Sequence, residues 1–180
     1  MNTIVDLRTS LQCVQGNNPR SFSFMIQTIT NTCSKIVSTG SFISKQAFTI
    51  GFSCDTGTKN IIQIVAYTVA YDPITGKVVN DGLWHSVLVT YDGTTISIYV
   101  DGILDNTATN WNYGSTATIA STLNTVGNSG NYLGDYGFGN FWIGKLKNVL
   151  FYDYVITNSY ALANSYQAAG SILYNSGMTI

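Results

Sequence analysis

One hundred and eighty residues form a single domain with room for a substantial core, and a net charge of −1 excludes the basic footprint of a nucleic-acid binder. The longest apolar run, 61–71, carries Gln63 and Thr68 and is about half the length that a membrane-spanning helix needs, so no membrane insertion is expected. Only 9% of residues are charged, so the surface is built from Thr, Ser, Asn, Gly and Tyr. An all-β protein with threonine on its outer faces has that composition, and so does the nearly uncharged surface of a fibre, capsid or secreted adhesin.

Residues 1–16 carry Ile4, Val5, Leu7 and Leu11, and a short strand is expected near 3–8. Gly16, Asn17 and Asn18 before Pro19 mark a loop. From 21 to 30, Phe22, Phe24 and Ile26 alternate with Ser23, Met25 and Gln27, the period-two pattern of a strand. Short strands follow at 35–38, 42–44 and 47–53, broken at Thr39 and Gly40 and again at Lys45 and Gln46. Residues 60–71 read as one long strand, or a strand with a bulge. Its two faces are both apolar, which suggests a central place in a sheet. Asp72 and Pro73 begin a turn, and Val78 with Val79 makes a two-residue strand.

The most strongly patterned stretch is 81–107. Val87, Val89 and Tyr91 alternate with Ser86, Leu88 and Thr90. Ile96, Ile98 and Val100 alternate with Thr95, Ser97 and Tyr99. Asp92 and Gly93 between them are strong hairpin-turn residues because both tolerate positive φ, and Asp101 with Gly102 marks the next turn. This is an antiparallel meander with one face on a core and one toward solvent or a second sheet. His85 is the only histidine. It is expected to make structural hydrogen bonds, since nothing in the sequence nominates the orienting acid and nucleophile that base catalysis requires.

Two later stretches, 105–121 and 124–140, read as long loops with the chemistry of a site. The first offers Asn110, Trp111 and Tyr113; the second offers Asn128, Asn131, Tyr132, Tyr136 and Asn140. Aromatic faces stack on pyranose rings, and amides serve adjacent hydroxyls with a donor and an acceptor. Asp105 and Asp135 are candidate calcium ligands, since calcium takes six to eight oxygens. The same residue types are also ordinary loop chemistry. Residues 141–154 return to strand. Thr157 or Asn158 caps a short helix through about Ala169, Gly170 ends it, and 172–174 is a last strand.

Cys13, Cys33 and Cys54 are either three thiols of a reducing compartment or include a Cys33–Cys54 bridge. No Cys or His cluster has zinc spacing. Residues 1–8 have no apolar signal-peptide core, and no N-x-S or N-x-T sequon occurs. A bacterial protein, or a viral one assembled in the cytosol, fits that pattern, with a virion or extracellular surface as the favoured location.

Trp84-His85, an apolar strand to Thr90-Tyr91, Asp92-Gly93, then Ile98 through Gly102 resembles the central hairpin of laminin-G-like domains, members of the concanavalin A-like lectin/glucanase superfamily. The segment from Phe141 to Leu146 and on through Val149 to Tyr152 resembles the penultimate strand pair of that family. The resemblance implies a jelly-roll sandwich of two antiparallel sheets with a short C-terminal helix. It also implies that calcium, where bound, sits among loops at one rim. At Lys147 and Asn148 the chain departs from the family, where an acidic pair is common. The glucanase branch works with two glutamates on one strand, because glycoside hydrolysis needs two carboxylates flanking the bond. All nine acids here are aspartate, and no D-x-D-x-D spacing replaces the pair. The expected function is a non-enzymatic recognition module that binds a glycan or a protein receptor through rim loops. The alternative is a structural component of a viral capsid, fibre or other surface assembly. A glycoside hydrolase comes third.

Overall fold

The structure is a computed structural model of the chain. It describes residues 5–6, 16–40, 47–53, 60–65, 70–71, 76–111, 130–133 and 142–158. The described strands, in chain order, are β1 (Val5–Asp6), β2 (Arg20–Gln27), β3 (Lys35–Gly40), β4 (Ala47–Phe52), β5 (Ile62–Val65), β6 (Ala70–Tyr71), β7 (Trp84–Tyr91), β8 (Ile96–Val100), β9 (Ile103–Ala108), β10 (Gly130–Leu133) and β11 (Lys145–Tyr152). They form two antiparallel sheets, β1-β10-β3-β4-β5-β6 and β11-β2-β7-β8-β9. The chain is therefore all-β, in the two-sheet class of the jelly roll. The expected C-terminal helix and last strand lie outside the described residues, as does the expected strand 42–44.

The chain gathers into two compact units, each drawn from three stretches. The first is Met1–Asn17, Thr30–Gly76 and Asn112–Ile143; the second is Asn18–Ile29, Lys77–Trp111 and Gly144–Ile180. Each contains one of the sheets.

In the second unit, β2 and β7 pair over their full length, from Arg20 opposite Tyr91 to Gln27 opposite Trp84. They occupy inner positions of the five-stranded sheet and are buried on both faces. The expected alternation between a buried and a wetter face survives on β8, whose Ile96, Ile98 and Val100 are buried while Ser97 and Tyr99 are half-buried. Phe22 meets its partner Phe151 edge-on at 4.8 Å between centroids. Between Lys147 and Leu150 the register on β2 advances from Met25 to Ser23, so β11 carries one extra residue, with Asn148 at φ 54°. This bulge switches the parity of β11. It brings Leu150 to the side of Met25, with Trp84 and Tyr152 beside them in a small apolar cluster.

In the first unit, the expected long strand 60–71 is two strands. Val65 pairs with Ala70 and Ile64 with Tyr71, so β5 and β6 form a hairpin. An apolar run on both faces satisfies one long strand or two short paired ones equally well, which is why periodicity did not separate them. Val78 and Val79 belong to no strand; Val79 is buried and Val78 is 47% exposed. Phe48, Ile50, Phe52, Ile62 and Ile64 are fully buried. β1 pairs with β10, through Val5 opposite Leu133 and Asp6 opposite Tyr132.

Cys33 is disulfide-bonded, which corrects the picture of three thiols. Its partner is Cys13 or Cys54, both outside the described residues. Non-reducing peptide mapping is expected to join the Cys33 peptide to one of the other two and leave a single alkylatable thiol. Three alkylatable thiols in the unreduced protein would overturn the assignment.

Candidate functional site

The end of β7 builds the first candidate region. The Asp92 carboxylate caps the hairpin turn: its Oδ1 accepts from the backbone N–H of Thr94 at 2.8 Å and of Thr95 at 2.7 Å, and from the Thr94 hydroxyl. Partial burial pushes this carboxyl up, but the Thr94 and Thr95 donors outweigh it and hold the pKa below the usual aspartate value. Tyr91 sends its hydroxyl to the carbonyls of Gly93 at 2.7 Å and Trp111 at 3.1 Å. Trp111 N–H donates to the Thr94 carbonyl at 2.7 Å. The segment after β9 is thus pinned to the hairpin by its main chain. Asn110, exposed and at φ 59°, makes the bend that allows it; asparagine tolerates that region better than most residues. Beneath, the buried Arg20 guanidinium lies 5.4 Å from the Tyr91 ring centroid, and its Nε donates to the Asn18 carbonyl. Two of the expected ligand residues, Asn110 and half-buried Trp111, therefore sit on a rigid platform.

The other end of β7 holds a charged network. The His85 ring spans two carboxylates, with Nδ1 2.8 Å from Asp101 Oδ2 and Nε2 3.0 Å from Asp81 Oδ1. Asp101, at φ 53°, also accepts from the backbone N–H of Ser86 at 2.9 Å and from Lys77 Nζ at 2.7 Å. Burial raises the Asp101 carboxyl, but the Lys77, His85 and Ser86 hydrogen bonds outweigh burial and leave its pKa lowered. Asp81 is lowered chiefly by the Leu83 N–H and then by His85. The sequence nominated no acid for His85, and the fold supplies two. Asp101 arrives because β8 returns beside β7 and places the turn after Val100 opposite Ser86. Buried among these partners, His85 is a structural residue, as expected.

The structure changes the setting of several other candidates. Asp105 is not in a loop but on β9. It is the extra residue where Ile98 pairs with Asn106 and Tyr99 with Leu104. Its Oδ1 accepts from Lys77 N–H at 2.7 Å and its Oδ2 from Asn106 Nδ2 at 2.8 Å. Among the described residues no group of three or more His, Cys, Asp or Glu side chains could hold a metal. Asn131 and Tyr132 also leave the expected loop: they lie on β10, opposite Thr39 and Ser38 of β3. Tyr113, Asn128, Asp135, Tyr136 and Asn140 lie outside the described residues.

Solved structures with similar folds include domain 4 of AbnA, an extracellular arabinanase of Geobacillus stearothermophilus, in complex with arabinotriose. It is 17% identical, with a TM-score of 0.62 over 84% of this chain and 68% of that one. A candidate carbohydrate-binding protein from Bacteroides ovatus is 13% identical, with a TM-score of 0.65 over 89% of this chain and 44% of that one. Domains LG4-5 of the mouse laminin alpha1 chain are 14% identical, with a TM-score of 0.57 over 85% of this chain and 39% of that one. At such identities the likeness establishes the fold. A search of curated proteins found no match by sequence. The laminin-G-type family model matches residues 7–160, most of the chain, and the two antiparallel sheets agree with it: the chain belongs to the concanavalin A-like lectin/glucanases superfamily.

Proposed function

We propose that the protein is a non-enzymatic recognition module that binds a glycan at the loop end carrying Asn110 and Trp111. The observation that carries this reading is the commitment of the aspartates. Asp81, Asp92, Asp101 and Asp105 each hold a turn, a histidine or a neighbouring backbone N–H, and the chain has no glutamate. None of the four is left to flank a glycosidic bond as half of an acid–base pair. The likeness to a domain seen with arabinotriose supports a sugar as ligand. Tyr113, Asn128, Asn131, Tyr132, Tyr136 and Asn140 are proposed as glycan contacts of the first unit, on their residue chemistry alone. Calcium enters the proposal only through Asp135. An extracellular or surface location is supported by the disulfide at Cys33, since such bonds persist in oxidising surroundings.

Trp111→Ala removes the indole but leaves the backbone bonds to Thr94 and Tyr91 in place. It is expected to weaken glycan binding about tenfold or more and, because the indole Nε1 is buried, to lower Tm as well. The measurement is binding to a broad glycan array with calcium and again with a chelator. Full binding by a triple substitution of Trp111, Tyr132 and Asp135 would sink the proposed site. Loss of binding in chelator alone would bring calcium into it.

A second reading, a component of a surface assembly, is favoured by the edge strand β9, where Ile103 is 69% and Leu104 53% exposed. Sedimentation at moderate concentration tests it: a trimer or larger assembly supports it, and a clean monomer removes it.

A further inference from the structure

At the Trp111 end of the second unit, the Asp92 carboxylate has no cation to answer its charge. Among the described residues, Lys77 and His85 go to Asp101, and His85 also goes to Asp81. Asp92 receives only uncharged donors, and all of them fall on one oxygen. Its Oδ1 takes Thr94 N–H at 2.8 Å, the Thr94 hydroxyl at 3.0 Å and Thr95 N–H at 2.7 Å. Its Oδ2 accepts from none of the described residues, and Asp92 is exposed. Partial burial raises the pKa of this carboxyl, but the Thr94 and Thr95 donors lower it by more, so it stays ionised with no cation contributing. Arg20, which pairs with Tyr91, is buried and turned to the Tyr91 ring and the Asn18 carbonyl.

One residue, Thr94, ties this carboxylate to the Trp111 platform. Its N–H and hydroxyl go to Asp92, and its carbonyl receives Trp111 N–H at 2.7 Å. The Tyr91 hydroxyl closes the other side on the carbonyls of Gly93 and Trp111. Neither 91–95 nor 108–111 contains a basic residue. The end therefore presents a fixed negative charge beside the exposed Asn110 and the half-buried Trp111. An ionised carboxylate accepts from any hydroxyl, but a hydrogen bond between two charged groups is roughly twice as strong as one between neutral groups.

We propose that Asp92 is the specificity-determining residue of the Trp111 site, and that its free oxygen selects a sugar bearing a protonated amine, of the glucosamine type. The inference rests on the glycan-binding reading above and deepens it by naming the ligand class. The ammonium donates to Oδ2, the indole takes the apolar face of the ring, and the Asn110 amide serves a neighbouring hydroxyl. The cation of the ligand supplies the countercharge that the fold does not. Oδ1 keeps its place in the turn, so binding leaves the hairpin unchanged.

The test measures binding of β-linked tetramers of glucosamine, glucose and N-acetylglucosamine to the whole chain at about pH 6, where the amine is protonated. These place an ammonium, a hydroxyl and an acetamide on the same ring carbon. The glucosamine tetramer is expected to bind about fivefold tighter than the other two, the size of an exposed ion pair, with the preference lost in high salt. Asp92→Asn keeps an oxygen acceptor for Thr94 and Thr95. It is expected to retain the fold by circular dichroism and to bring the ratio to about one. Raising the pH above the pKa of the amine is expected to do the same in the unaltered chain. Equal or weaker binding of the glucosamine tetramer, or a preference that survives Asp92→Asn or high salt, would overturn the selection. So would failure of that tetramer to bind. The recognition reading falls separately, if the glycan array shows no binding at all.

Discussion

Asp101→Ala is expected to destabilise the protein by about 3 kcal/mol, in the range found when one member of a partly buried charged network is removed. The side chain holds three groups at once: Lys77 Nζ, His85 Nδ1 and the Ser86 N–H. Its loss leaves His85, whose side chain is 6% exposed, without one of its two partners inside the sheet. Asp101→Asn keeps the shape and the tolerance for a φ of 53°, so it separates charge from geometry. Denaturant unfolding measures both. A loss below about 0.5 kcal/mol for the alanine variant would show the network to be ornamental.

The aspartates at the two ends of β7 set an acid limit. Asp81, Asp92 and Asp101 all have folded-state pKa values lowered from 3.8. The unfolded chain therefore binds protons more readily than the folded one in the acid range. Their stabilisation is complete above the unfolded aspartate value and drains away as pH falls through the lowered folded values. Unfolding curves are expected to be flat from neutrality down to about pH 5 and to fall steeply below about pH 4. In Asp101→Asn that fall should be shallower.

Gly51→Ala is the second large effect, at about 3 kcal/mol. Gly51 lies on β4 opposite Lys35, beside the register shift between Lys35 and Val37. A Cβ built there would collide with the backbone carbonyl of Ser34 and approach Lys35 Cα to 2.9 Å. Ser34 cannot simply withdraw, because its carbonyl accepts the Phe52 N–H at 2.7 Å. Either that bond or the β3–β4 register must give way. Gly144 is a milder parallel, at φ 153° with Gln27 O 2.6 Å from the position of a Cβ. Thermal unfolding of Gly51→Ala measures the effect, and an unchanged Tm would mean that the two strands separate easily.

The local code was legible where side-chain period and turn chemistry agree. β2, β7 and β8 follow from alternation, and the turn between the last two from Asp92 and Gly93, although only Gly93 takes positive φ and the loop runs from 92 to 95. So did the exclusion of a glutamate pair. Strand β9 was missed because Asp105 and Asn106 are poor strand formers and the bulge at Asp105 breaks the alternation; pairing with β8 overrides both. Strand β10 is four residues long, too short for a periodic signal, and is held between β1 and β3.

What the sequence by itself determined was the all-β class, the 81–102 meander and the poverty of catalytic carboxylates, because these depend on residue type and spacing along one chain. What only the tertiary structure decided was company. It gave His85 its two aspartates, hung Trp111 from the Tyr91 turn, took Asp105 into hydrogen bonds with Lys77 and Asn106, and set Lys147 over the ring of Trp84. Most of these join residues far apart in the chain. Register and bulges, set by the pairing of whole strands, place those groups within hydrogen-bond reach, and no pattern within a single segment carries that information.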